Sequence, residues 1–147
     1  MNLKKVIANY QLNIVIAFLF LIVIVFFGFQ YLNNSNNNLG HHLIVDIDNI
    51  EHSKLNSNAF ILKFCEDIIK STNINVLKSL VHKFKPCGIT ALYLLAESHF
   101  SIHTWPEEKK IRLDLFSCSK KNNFDKAIDV IKKYLPDSHL NITKFNR

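Results

Sequence analysis

Cysteine is scarce and unpaired in this chain. Its 147 residues hold three, Cys65, Cys87 and Cys118. An odd number without a C-x-x-C pair argues against a disulfide framework and a structural zinc site, and fits a reducing compartment. Arginine is scarcer: apart from the terminal Arg147 there is only Arg112. The formal net charge is +6, yet the lysines are scattered and no basic-aromatic motif accompanies them, so no nucleic-acid partner is expected. His41, His42, His99, His103 and Cys118 are ligand-type side chains, but no spacing among them supports a metal site. There is no internal repeat.

Charge is missing altogether from one stretch, 14–29. Extended over 12–32 it reaches about 20 residues, enough for a hydrocarbon core of about 30 Å. Tyr10 and Tyr31 fall where interfacial aromatics belong. A core helix would show a polar face, and none is present. No small-residue cleavage site follows, so the sequence predicts an uncleaved, single-pass N-terminal transmembrane helix rather than a removed signal peptide. The Asn-rich segment after it, 30–40, reads as a flexible tether. Residues 1–38 are thus expected to be anchor and tether, and 39–147 a folded domain.

Within that domain 41–48 reads as a first strand. Residues 56–72 have helical spacing, with Phe60, Ile61, Phe64, Ile68 and Ile69 on one side and Ser57 or Asn58 as cap. Residues 73–84 alternate and read as mostly strand; Pro86-Cys87-Gly88 is a turn. The apolar run 89–96 reads as a buried strand, and 110–118 alternates as a half-buried one. Residues 123–135 form an amphipathic helix capped by Asn122 or Asn123 and stopped by Pro136, and 139–145 a short last strand. The pattern predicts an α+β, two-layer sandwich: a mainly antiparallel sheet with two helices on one face.

Between the strands 89–96 and 110–118 lies a polar stretch, Glu97-Ser98-His99-Phe100-Ser101-Ile102-His103-Thr104-Trp105-Pro106-Glu107, read as a loop. Buried polar groups cost free energy unless paired, so polar chemistry between two core strands needs a reason. This run resembles the self-cleavage segment of the prokaryotic S-adenosylmethionine decarboxylase proenzymes, pyruvoyl-dependent enzymes of polyamine synthesis. The resemblance covers roughly 39–146.

It implies a chain that cuts itself between Glu97 and Ser98, turning Ser98 into a pyruvoyl group that forms a Schiff base with the substrate. The implied product is decarboxylated S-adenosylmethionine, the aminopropyl donor for spermidine biosynthesis. Carried over residue by residue, His103 serves processing, Thr90 supports it in place of the usual serine, and Cys118 protonates the product. Phe84 stacks on adenine and Glu107 binds the ribose hydroxyls. The implied assembly is a homodimer with shared sites, Ser98 and Cys118 from one subunit and His103, Thr90, Glu107 and Phe84 from the other. No metal is implied.

Three stretches depart from the family pattern: Asp48-Asn49-Ile50-Glu51, Glu107-Glu108-Lys109-Lys110 and Ser119-Lys120. All are expected near the substrate, so a pyruvoyl-dependent ornithine or arginine decarboxylase is the first alternative. An uncleaved, non-catalytic binding homologue is the second. Trp105, Pro106, Cys65 and Cys87 read as structural. Lys4 and Lys5 precede the span and no Lys or Arg follows until Lys54, which favours a domain outside the cytoplasm. The implied substrate is cytoplasmic, and a cytoplasmic-facing domain is the expectation adopted.

Overall fold

The computed structural model describes residues 16–30, 40–119 and 123–146. The chain divides into two compact units, Met1–Asn37 and Asn38–Arg147. In the first, the described residues form one helix, α1, over 16–30.

This helix corrects the membrane expectation. Its described residues, 16–30, cover about 22 Å at 1.5 Å per residue, less than a hydrocarbon core of about 30 Å. Among the described residues no helix is long and apolar enough to cross a membrane. The transmembrane helix, the single-pass anchor through 12–32 and the membrane localisation are therefore not supported. The apolar run sets the hydropathy, whereas the helix among the described residues is too short to cross. The calls on Tyr10, Tyr31, the tether at 31–39 and the cap Asn122 lie outside the described residues.

The second unit runs β1 (His41–Asp48), α2 (His52–Leu55), α3 (Asn58–Thr72), β2 (Val76–Lys83), β3 (Ile89–Leu95), β4 (Ser98–Trp105), a 3-10 turn (Pro106–Glu108), β5 (Lys110–Ser117), α4 (Asp125–Tyr134) and β6 (His139–Asn146). The strands form one sheet in the order β2-β3-β4-β5-β1-β6, every pair antiparallel.

Alternation builds the core. Leu43, Val45 and Ile47 of β1, Ile89 and Ala91 of β3, Phe100 and Ile102 of β4, and Ile111, Leu113 and Leu115 of β5 are buried on one face. Against them lie Ile61, Phe64 and Ile68 of α3 and Ala127, Ile128 and Ile131 of α4. Ser57 caps α3, its Oγ accepting from the Phe60 N–H at 3.3 Å, which satisfies one of the helix's otherwise orphaned donors. The other sheet face is not covered by these helices, and there Leu80, Leu92 and Leu94 are 65%, 41% and 52% exposed. Burying such apolar area is favourable, so this face is suited to a packing partner.

The main surprise is β4. Residues 98–105, read as a loop, are a central strand paired on both sides. Period-two alternation explains it: Phe100, Ile102 and Thr104 face the core, while His99, Ser101 and His103 face outward. The short α2 was also missed; its one turn buries a single side chain, Leu55, too little for a periodic signal.

Thr104 ties these parts together. It is 6% exposed. Its Oγ1 accepts from the Ile89 N–H at 2.8 Å and donates to the Leu55 carbonyl at 3.0 Å. Thr104→Val keeps the shape and orphans both backbone groups, so it is expected to cost about 2 kcal/mol. Urea denaturation checks this: the midpoint should fall with the slope unchanged.

Candidate active site

The Glu97–Ser98 bond sits at a hairpin turn. Leu95 and Ser98 are register partners, leaving Ala96 and Glu97 to close β3 onto β4. The turn is held on both sides: the Ala96 N–H donates to the Asn75 carbonyl at 2.9 Å, and the Cys118 N–H to the Glu97 carbonyl at 3.0 Å. Ser98 has φ +149°, a region that disfavours side chains and costs on the order of 1–3 kcal/mol. The Glu97–Ser98 peptide is therefore strained at its nitrogen side and polarised at its carbonyl.

A chain of three polar side chains from three strands starts at Ser98. Its Oγ is 3.2 Å from His99 Nδ1. His99 Nε2 is 3.2 Å from Asp114 Oδ1, and His42 Nε2 is 2.9 Å from the same oxygen. Sequence reading gave His99 no catalytic role and did not single out Asp114. The three are brought together only by the register of β1, β4 and β5.

The other end of β4 forms a cavity of about 520 Å³, and its lining includes Phe84, Cys87, Thr90, His103, Trp105 and Glu107. Thr90 and His103 are cross-strand partners, and Thr90 Oγ1 is 2.9 Å from His103 Nδ1. The Trp105 ring lies beside His103 at a centroid distance of 5.9 Å. The turn carrying Phe84 is closed by the Phe84 N–H donating to the Gly88 carbonyl at 2.8 Å. Gly88 has φ +104°, and an added Cβ would stand 3.2 Å from the Thr104 carbonyl oxygen, so glycine is required here. The Cys87 thiol donates to Glu107 Oε2 at 3.4 Å. Burial, and then the Glu107 carboxylate, push the Cys87 thiol above its usual range, keeping it a protonated donor. Cys87, read as structural, thus also lines the cavity and touches Glu107. Cys65 is different: burial pushes its thiol up to about 12, which leaves it an inert core group.

The sequence-derived residues therefore fall into two sets. Glu97, Ser98 and Cys118 are together, and so are Phe84, Thr90, His103 and Glu107, but the structure does not join the sets. Ser98 and His103 are five residues apart on one extended strand, about 17 Å at 3.3 Å per residue. No imidazole spans that distance. Among the described residues, no group of three or more His, Cys, Asp or Glu side chains is arranged to hold a metal ion.

Comparison with known proteins adds the following. Residues 41–147 match the family model described as S-adenosylmethionine decarboxylase. An S-adenosylmethionine decarboxylase proenzyme of Methanococcus aeolicus is 36% identical over 109 residues, covering 74% of this chain and 93% of that protein. One from Prochlorococcus marinus is 34% identical over 109 residues, covering 74% and 87%. The crystal structure of the adenosylmethionine decarboxylase from Aquifex aeolicus is similar with a TM-score of 0.67 and 30% identity, covering 75% of this chain and 91% of that one.

Proposed function

The chain belongs to the S-adenosylmethionine decarboxylase family, and from that premise we propose that it cleaves itself between Glu97 and Ser98 and decarboxylates S-adenosylmethionine. The observation that carries the proposal is the Glu97–Ser98 turn, with a strained serine, a carbonyl held by the Cys118 N–H and a nitrogen base in contact with the hydroxyl.

The residues fit a pyruvoyl group made from Ser98. Attack of Oγ on the Glu97 carbonyl carbon places negative charge on an oxygen that already accepts from the Cys118 N–H at 3.0 Å. A preorganised donor of this kind stabilises the developing oxyanion. Transfer of the acyl group from nitrogen to oxygen gives an ester. Loss of the Ser98 α-proton then expels the Glu97 carboxylate, and water releases ammonia from the remaining imine. The pyruvoyl group supplies an electron-accepting ketone for decarboxylation, the role pyridoxal phosphate has in other decarboxylases.

The rest of the chemistry is assigned as follows. His103 takes the Ser98 α-proton, and Thr90, 2.9 Å from its Nδ1, orients the ring. Cys118 returns a proton to the product; it is an exposed free thiol next to the turn. Phe84 and Glu107 hold the adenine and the ribose hydroxyls in the cavity they line. Because His103 lies about 17 Å along β4 from Ser98, it acts on the serine of a second copy. The uncovered sheet face, with Leu80, Leu92 and Leu94 exposed, is the surface for that copy, and the two-fold pairing of identical faces gives two shared sites.

Carbon dioxide release from carboxyl-labelled S-adenosylmethionine, ornithine and arginine tests the substrate. Release from S-adenosylmethionine alone is expected, because Phe84 and Glu107 flank one cavity. Release from ornithine or arginine in its place would refute the assignment.

A further inference from the structure

We infer that His99 is the base that takes the Ser98 hydroxyl proton when the chain cuts itself, with Asp114 and His42 positioning it. The inference rests on the reading of Glu97–Ser98 as the cleavage bond and adds the residue that starts the reaction. His103 does not fill this role in the same protomer, being at the far end of β4. Some group must accept the proton, because a neutral serine hydroxyl is a weak nucleophile at its free pKa.

The hydrogen bonds set the tautomer. An ionised carboxylate only accepts. Asp114 Oδ1, 3.2 Å from His99 Nε2, therefore places the ring hydrogen on Nε2. That leaves Nδ1 with a free lone pair, 3.2 Å from Ser98 Oγ, so the serine donates. A nucleophile, a base and an orienting carboxylate in hydrogen-bond contact is the arrangement by which serine is activated elsewhere. His42 donates to the same Asp114 oxygen at 2.9 Å, and its ring is held beside Phe116 and Phe145 at centroid distances of 5.5 and 6.2 Å. Asp114 is thus held from β1 while it orients a histidine on β4.

The step balances without a further reactant. The Ser98 proton moves to His99 Nδ1 as Oγ bonds to the Glu97 carbonyl carbon. The oxyanion stays under the Cys118 N–H. As the intermediate collapses, the carbon–nitrogen bond breaks and the Ser98 nitrogen takes the proton back from the His99 imidazolium. The product is the ester with a free amino group.

The test follows cleavage of the full chain during pulse-labelled cell-free synthesis. His99→Gln retains hydrogen-bonding capacity but cannot carry the proton, and its cleavage should slow about 100-fold, the scale of one lost general base. Added imidazole should restore part of the rate in His99→Ala. Asp114→Asn should also slow cleavage and Asp114→Glu should recover it, which a merely structural role would not give. His99 is half-exposed, so these changes leave the core intact. Cleavage of His99→Gln at the rate of the unsubstituted chain would overturn the inference alone. Failure of the unsubstituted chain to cleave would overturn the proposed function itself.

Discussion

Ser98→Ala is expected to leave one uncut chain with no detectable decarboxylation. Both losses follow from a single oxygen. Without Oγ nothing attacks the Glu97 carbonyl, and without cleavage no ketone forms at position 98. The fold should survive. Ser98 sits at a turn whose backbone bonds, Ala96 to Asn75 and Cys118 to Glu97, do not use its side chain. The side-chain bond given up is the one to His99 at the sheet surface. A denaturing gel and a carbon dioxide assay read the two outcomes, and the circular dichroism spectrum should match that of the parent. Cleavage in Ser98→Ala would mean that another residue is the nucleophile.

The second large effect concerns two copies. On the proposed roles, Phe84→Ala and Cys118→Ala should each be nearly inactive alone: the first would lack the proposed adenine stack and the second the proposed proton donor, while keeping the Cys118 backbone N–H on the Glu97 carbonyl. In a shared-site dimer, a mixed pair puts both lesions in one site and none in the other. Co-refolding the two in equal amounts should then recover about a quarter of the parent activity, since half of the dimers are mixed and each has one intact site of two. If each site lay within one chain, mixing would restore nothing. The arrangement on β4 makes this a sharp test, because Ser98 and His103 lie about 17 Å apart along it.

Strand β5 and helices α3 and α4 were legible because each carries an apolar period, and β3 because it is a continuous apolar run. β2 was harder, with exposed residues on both faces, as befits the edge position the sheet order gives it. β4 was readable in principle. Phe100, Ile102 and Thr104 alternate with Ser101, His103 and Trp105, but the chemistry-bearing residues drew the reading toward a loop. Functional sites are where local expectation fails most often. The N-terminal run showed the opposite failure: its hydropathy suggested a span that the described helix, 16–30, is too short to make.

The site was legible in part. The Glu97 to Glu107 run carried the resemblance to the family whose model matches residues 41–147. The contact between Ser98, His99, Asp114 and His42 was not visible, because His42 and Asp114 are 72 positions apart and meet only through the pairing of β1 with β5. The Cys118 N–H on the Glu97 carbonyl was equally hidden. It is a backbone donor, and no side-chain pattern announces it.

The most direct measurement is the intact mass of the purified, denatured protein. Self-cleavage predicts two chains, one ending at Glu97 and the other beginning at residue 98 with no free amino group and a mass matching a terminal pyruvoyl group. A single chain of the full 147 residues, unchanged after prolonged incubation, would contradict the account.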